Sequence, residues 1–285
     1  MKVVKKIPLM QEIASRLRQR GKKIAFVPTM GYLHEGHLRL VDVAKSYGDV
    51  VVVSIFVNPA QFGPNEDLSR YPRDIRGDCT KLKKRGSDII FIPNPSDVYP
   101  EDYQTYIDVT ELSKPLCGRF RPGHFRGVAT VVAKLFNIVM PDVAVFGKKD
   151  YQQYLIIKQM VRDLNFNIKI IGVETVREDD QLAMSSRNSY LSPRERERAR
   201  HFAESLYTAE RLYKAGKLST PAKIINFVRE YIRGFEGIKI QYVDILNANN
   251  LEPVRDFSVD AVLAAAVFVG KTRLIDNRVL KSRCQ

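Results

Sequence analysis

The sequence predicts an open α/β fold followed by a smaller α+β domain. Short, nearly continuous apolar runs alternate with helix-like stretches from about residue 23. Segments rich in Gly, Pro and charged residues follow several of those runs, and the pattern changes after about Thr175.

The runs are "KIAFVPT", "DVVVVSIFVN", "DIIFIPN", "DVAVFG" and "NIKIIGVET". Val and Ile without polar alternation suit strands covered on both faces, hence a parallel sheet with crossover helices. Between them, "HLRLVDVAKSYG" and "GVATVVAKLFNIVM" space apolar residues at three and four, as helices on such a sheet do. The N-terminal "MKVVKKIPLMQEIASRLRQRGKK" looks like a helix start. Residues 1–175 are therefore expected to form a Rossmann-like, doubly wound parallel sheet, with its ligand at the carboxyl ends of the strands. "PTMGYLHEGH", "NPAQFGPNEDLSRYPRD" and "GKKDYQQ" each follow a strand and fall there. Residues 176–285 are expected to form the smaller domain, with the linker around "VREDDQLAMSSRN". Its long helix, "SPRERERARHFAESLYTAERLYKAG", opens on a capping box with Ser192 at the cap, Pro193 first inside and Glu195 reaching back. "IKIQYVDILN" and "AVLAAAVFVGKTRLIDN" complete it as strands.

At 285 residues with 45% hydrophobic content, the chain can bury a core and reads as soluble. Its longest apolar run, Ala261 to Val269, is too short for a bilayer, and the N-terminus lacks the apolar stretch of a secretory signal. No membrane partner is expected, and the location is expected to be cytoplasmic. Cys79, Cys117 and Cys284 are too widely spaced for a metal knuckle and are expected to be reduced thiols. A net charge of +14 would suit nucleic acid, an acidic surface or a polyphosphate substrate. With 27% charged residues, most lysines suit a well-solvated surface. No long single-sign block or aromatic RNA-stacking motif appears, so no nucleic-acid partner is expected.

His34 and His37 stand three apart at a helix N-terminus, where unpaired N–H groups and the dipole favour an anion. They could donate to phosphate oxygens, and Gly31 and Gly36 would admit the anion close to the backbone. A plain strand-to-helix turn would also fit. Lys148, Lys149 and Asp150 could counter phosphoryl charge and bind a ribose hydroxyl or assist magnesium, or form a charged solvent loop. "AMSSRN" offers two hydroxyls and an arginine suited to a triphosphate, or a turn with a helix cap.

The His-x-Gly-His turn and the later Met-Ser-Ser-Arg loop resemble the HIGH-like and KMSKS-like signatures of the nucleotidyltransferase and class I aminoacyl-tRNA synthetase superfamily. More narrowly, "PTMGYLHEGH", "SIFVNPAQFGPNEDLSRYPRD", "RPGHFRGVATVVAKLFNIVMPDVAVFG", "KKDYQQ" and "MSSRNSYLS" together resemble the pantothenate synthetase (pantoate–β-alanine ligase) family. The likeness runs from about residue 24 to "RLIDN", and five motifs in order make it specific.

The resemblance implies that ATP and (R)-pantoate form pantoyl adenylate with release of pyrophosphate, after which β-alanine displaces AMP to give pantothenate. It implies ATP as co-substrate, Mg2+ and a homodimer. Met30, Gly31, Tyr32, Leu33, His34, Glu35, Gly36 and His37 would line the ATP phosphates, with His37 as proton donor and a raised pKa beside phosphate. Gly147, Lys148, Lys149 and Asp150 would hold the nucleotide, with Lys149 near the α-phosphate, Asp150 on the ribose and Val176 against adenine. Met184, Ser185, Ser186 and Arg187 would close over the phosphates, with residues 176–285 acting as a lid. His34, His37, Lys149, Ser185, Ser186 and Arg187 would be catalytic. Gln61 and Gln153 would hold pantoate, and Gln61 would also approach β-alanine. Asn58, Arg121 and Asp78 are further candidates, Asp78 for the amine or the metal. Arg121 and His124 would equally suit a surface turn.

Three positions depart from the family pattern: Lys148 where Glu is usual, Gly77 before Asp78, and Gln181 where glycine is usual. "VGKT" at 269–272 is a strand end and not a phosphate loop, because Ala265 stands where that loop needs glycine. A different adenylyltransferase would share the histidine turn and the Ser-Ser-Arg loop without needing Gln61 and Gln153. A basic nucleic-acid-binding module would instead bind polynucleotide without ATP turnover.

Overall fold

The computed structural model describes residues 1–64 and 66–282. Cys284, and Asn65 of the second quoted motif, lie outside these residues. The chain opens with β1 (Lys2–Val4), α1 (Ile7–Gln19), β2 (Ile24–Thr29), α2 (Glu35–Ala44) and β3 (Val50–Ile55). It continues with α3 (Ile75–Arg85), β4 (Ile89–Phe91), α4 (Pro95–Val98), α5 (Cys117–Phe120), α6 (His124–Val139), β5 (Val143–Gly147), α7 (Tyr151–Asp163) and β6 (Lys169–Val173). These six strands form one parallel sheet in the order β1-β4-β3-β2-β5-β6.

Side chains alternate between the two faces of β2. Ile24 and Phe26 enter a core with α1, α6 and α7, while Ala25 and Val27 pack with Val41 of α2 and Leu82 of α3. Covering on both faces is why the strands lack polar alternation. Val51–Phe56 is buried, so most of the "VVVVSIFV" run is interior. The expected N-terminal helix is preceded by a strand, because Lys2–Val4 pairs with Ile89–Phe91 and buries Val4. The order of strand addition reverses between β2, from which the chain moves to β3 on one side, and β5, from which it moves to β6 on the other. The loops after β2 and β5 therefore splay apart and leave a crevice.

The chain then forms α8 (Pro193–Lys214), α9 (Pro221–Arg233), β7 (Ile238–Asn247), β8 (Ala261–Val269) and β9 (Thr272–Leu280), the last three an antiparallel sheet in the order β7-β8-β9. The capping box at α8 is present, with Ser192 N donating to Glu195 Oε2 at 2.9 Å. Odd residues of β8, such as Leu263 and Val267, pack on Phe202 and Leu206 of α8 and Ile224 and Val228 of α9. Even residues Val262, Ala264 and Ala266 join the core of the larger sheet. Burial on both faces explains the unbroken apolar run of β8. Gly270 and Lys271 form the two-residue hairpin turn after it, with Gly270 at φ +57°, and no phosphate loop is present there.

Candidate functional site

A cavity of about 1150 Å³ opens at the carboxyl ends of β2 and β5 and beneath the antiparallel sheet. The turn after β2 is built around Asp78. Its Oδ2 accepts from Tyr32 N and its Oδ1 from Leu33 N, both at 2.7 Å, while Lys81 Nζ donates to Leu33 O at 2.7 Å. Gly31 adopts φ +83°, and a Cβ there would meet Ile55 at 2.9 Å and Asp78 at 3.1 Å. This clamp aims the N-terminus of α2 into the cavity. Asp78 is fully buried beneath the turn and does not line the cavity, so its carboxylate is spent on backbone and is not available to an amine or a metal. Burial raises its pKa despite these two donors.

His34 caps α2, its Nδ1 accepting from Gly36 N at 3.2 Å, and His37 Nδ1 accepts from His34 N at 3.4 Å. The rings lie 4.0 Å apart. With both Nδ1 atoms accepting, each neutral ring carries its proton on Nε2, leaving two N–H donors at the cavity wall. Burial, then Lys149, lowers the His34 pKa to about 4, and burial, then His34, lowers that of His37 to about 3. The expected raised pKa of His37 is thus not a property of the free protein, in which desolvation prevails. Of the turn, Met30, His34, Gly36 and His37 line the cavity, whereas Gly31, Tyr32 and Leu33 shape it from beneath. Glu35 is exposed and pairs with Arg85 at 2.6 Å, away from the cavity.

Across the crevice, Gly147, Lys149 and Asp150 line the cavity, and Lys149 stands 3.5 Å from Asp150. Burial would raise the Asp150 pKa, but Lys149 and Arg187 outweigh it and hold the carboxylate below its usual range. Lys148 turns aside to Glu174 at 2.5 Å. Gln153 and Gln152 both line the cavity, and Gln152 is buried with its side chain hydrogen-bonded to Cys117 N, Leu112 O and Pro115 O.

The loop after β3 supplies Asn58 and Gln61. Asn58 Nδ2 donates to Gln61 Oε1 at 3.0 Å and to Gly127 O at 3.1 Å, and Gln61 Nε2 contacts Met30 Sδ at 3.2 Å. A Cβ at Gly127 would meet Ala60 O at 2.2 Å, so glycine lets α6 touch this loop. Arg121, half-buried, and His124, buried, join one network at the cavity wall, although Pro122 and Gly123 between them are exposed. Arg121 is bidentate to Glu66 at 2.6 and 2.5 Å, His124 Nε2 lies 3.0 Å from Arg121 Nη1, and His124 Nδ1 donates to Gln61 O at 2.8 Å. Burial, then Arg121, lowers the His124 pKa to about 3.

The segment after β6 closes one side. Val176 O accepts from Met184 N at 3.0 Å, and both residues line the cavity with Ser185, Ser186 and Arg187. Ser185 Oγ accepts from Arg187 N at 3.3 Å, and Ser186 Oγ donates to Tyr32 O at 3.2 Å. Arg187 is bidentate to Asp67. The preceding residues form a hairpin in which Gln181 N donates to Glu178 O and Glu178 N to Leu182 O, both at 2.9 Å. Gln181 occupies its left-handed position at φ +71°, the bulge position that favours glycine. Asp67, Arg177, Asp276, Asn277 and Gly127 were not singled out from the sequence, because their partners lie far along the chain.

Magnesium is held by oxygen ligands and usually enters with substrate phosphates. Among the described residues there is no group of three or more His, Cys, Asp or Glu placed to hold a metal ion. Of the cavity carboxylates, Glu66, Asp67 and Asp276 are taken by arginines, Glu174 by Lys148 and Glu195 by Ser192, while Asp150 has only Lys149 at 3.5 Å and is the better fit beside a metal-bound polyphosphate. Among the described residues no helix is long and apolar enough to cross a membrane.

A doubly wound sheet with donors and one carboxylate gathered at its switch point defines a Rossmann-like α/β protein with a polar small-molecule cleft. The family model for pantoate-β-alanine ligase matches residues 2–279. Pantothenate synthetase of Sulfurihydrogenibium is 53% identical over 278 residues, covering 97% of this chain and 99% of that protein. The crystal structure of the Thermus thermophilus enzyme superposes with a TM-score of 0.93 at 41% identity, covering 99% of this chain and 100% of that one. That of pantoate-β-alanine ligase from Francisella tularensis, complexed with β-γ ATP and β-alanine, gives 0.81 at 37% identity, with 98% and 97% covered. The chain belongs to the pantoate–β-alanine ligase family.

Proposed function

We propose that the protein joins (R)-pantoate to β-alanine at the expense of ATP through a pantoyl adenylate. The observation that carries this is the pairing of two neutral histidine Nε2–H donors with Lys149 and Asp150 across one crevice. A carboxylate resists amine attack until one of its oxygens joins a good leaving group. In the first step a pantoate carboxylate oxygen bonds to the α-phosphorus and the bond to pyrophosphate breaks. Lys149 and the histidine N–H groups stabilise the charge that develops on the phosphates. His37 also takes the proton-donor role, its pKa rising once phosphate is bound. Asp150 holds the ribose, Val176 the adenine, and Gln61 and Gln153 orient pantoate. A magnesium ion held by the triphosphate beside Asp150 would neutralise part of the phosphate charge. In the second step the β-alanine amine attacks the carbonyl, the C–O bond to phosphate breaks, and AMP leaves.

Residues 1–175 form the substrate-binding part and 176–285 the lid. Arg187 leaves Asp67 for the phosphates, and closure keeps water from the hydrolysable adenylate. The protein works as a cytoplasmic homodimer, a state that light scattering tests. AMP and pyrophosphate release, measured with ATP, magnesium and each acid singly and together, tests the activity. AMP release and pantothenate formation are expected only with both acids. Turnover that neither acid stimulates would overturn the assignment.

A further inference from the structure

Asn277 lies on β9, yet its side chain reaches the turn after β5. Its Nδ2 donates to Lys148 O at 3.0 Å and Lys149 O at 2.9 Å. These carbonyls belong to the short turn Lys148–Asp150, whose last two residues line the cavity. Strand alternation explains the reach: Leu274 and Leu280 face α8 and α9, whereas Ile275 and Asn277 face the larger sheet. An NH2 group has two protons, one for each carbonyl, which is a match that neither a hydroxyl nor a carboxylate offers. The neighbouring Asp276 accepts from Asn277 N at 2.7 Å and holds Arg177 in two hydrogen bonds at 2.7 and 2.9 Å. Arg177 begins the hairpin that leads to Met184–Arg187. Two consecutive residues of β9 thus tie down both borders of the crevice.

We propose that Asn277 is a positioning residue for the nucleotide, orienting the turn that presents Lys149 and Asp150. This rests on the ATP site described above. The full-length variants Asn277→Ala and Asn277→Asp test it, the second keeping the shape while turning a carboxylate toward two carbonyl oxygens. Asn277→Ser, which keeps one donor, serves if either variant melts before assay. ATP affinity by calorimetry and the KM of each substrate are the readouts. Losing the donor pair is expected to raise the ATP Kd and KM about tenfold, leaving the KM values of pantoate and β-alanine within about twofold. Asn277→Asp should be weaker than Asn277→Ala, and Asn277→Ser intermediate. A uniform rise in all three KM values, or wild-type ATP affinity in the variants, would overturn the proposal. If the wild-type protein binds ATP but makes no pantothenate, the ligase reading fails while the affinity comparison still decides the role of Asn277. If it binds no ATP, both are overturned.

Discussion

Arg187 and Asp67, 120 positions apart, join the Met184–Arg187 segment to the loop after β3 through two hydrogen bonds of 2.9 and 2.7 Å. Tyr190 OH adds a third donor to Asp67 at 3.3 Å, and the guanidinium sits 5.7 Å from the Tyr71 ring centroid. The arginine proposed to grip phosphate is therefore held by a carboxylate in the free protein, and the two anions compete for one fork.

Asp67→Asn should weaken this link, costing about 1–2 kcal/mol of stability at neutral pH and tightening ATP binding roughly threefold. Burial alone would raise the Asp67 pKa, but Arg187 holds it below the usual 3.8. Its contribution is present above that value and lost as pH falls through the lower folded one, so the deficit of the variant should shrink as pH falls below 3.8. Denaturation midpoints and ATP titrations check both parts. A weaker ATP affinity in the variant would contradict the competition.

His37→Ala should slow adenylate formation about a hundredfold, as loss of a transition-state donor does, with the melting temperature within a few degrees of wild type. Rapid-quench measurement of the first turnover checks this. A near-normal rate would remove His37 from the chemistry.

His34, His37 and His124 have pKa values lowered by burial from 6.5 to about 4, about 3 and about 3. Because the folded values are the lower ones, the stability they allow is complete above pH 6.5 and is lost as pH falls through the folded values. The urea midpoint of the free protein should begin to fall below pH 6.5, and His124→Asn should flatten the slope. A wild-type midpoint constant from pH 7 to 5 would contradict neutral, buried rings.

Gln181→Gly should stabilise the protein by about 0.5–1 kcal/mol, since relief of the left-handed strain at φ +71° exceeds the entropy that glycine adds to the unfolded chain. Thermal melts check the sign, and a loss of stability would show that the Gln181 side chain contributes more than its backbone costs.

The sheet was legible because five strands are covered on both faces and spell out apolar runs. The first strand was not, since three residues before Lys5 and Lys6 carry no period. At the site, Met30, His34, His37, Lys149 and Gln61 could be picked from their motifs and all line one cavity. Sequence could not show that Glu35 points outward to Arg85, that Lys148 turns to Glu174, or that Asp78 spends both oxygens on backbone. Residue type and spacing do not encode the direction of a side chain. The partners of Arg187 and of the Lys148–Asp150 turn lie 120 or more positions away, where no local pattern reaches. The departure at Gln181 was visible, and its meaning became clear only with the backbone angle.

The central claim is that the pantoate carboxylate is activated as an acyl adenylate. The most direct measurement uses pantoate labelled with 18O in its carboxylate, together with ATP and β-alanine, and mass spectrometry of the AMP released. The account expects one 18O atom in AMP, carried over when the C–O bond breaks. AMP without label, formed alongside labelled pantothenate, would contradict it.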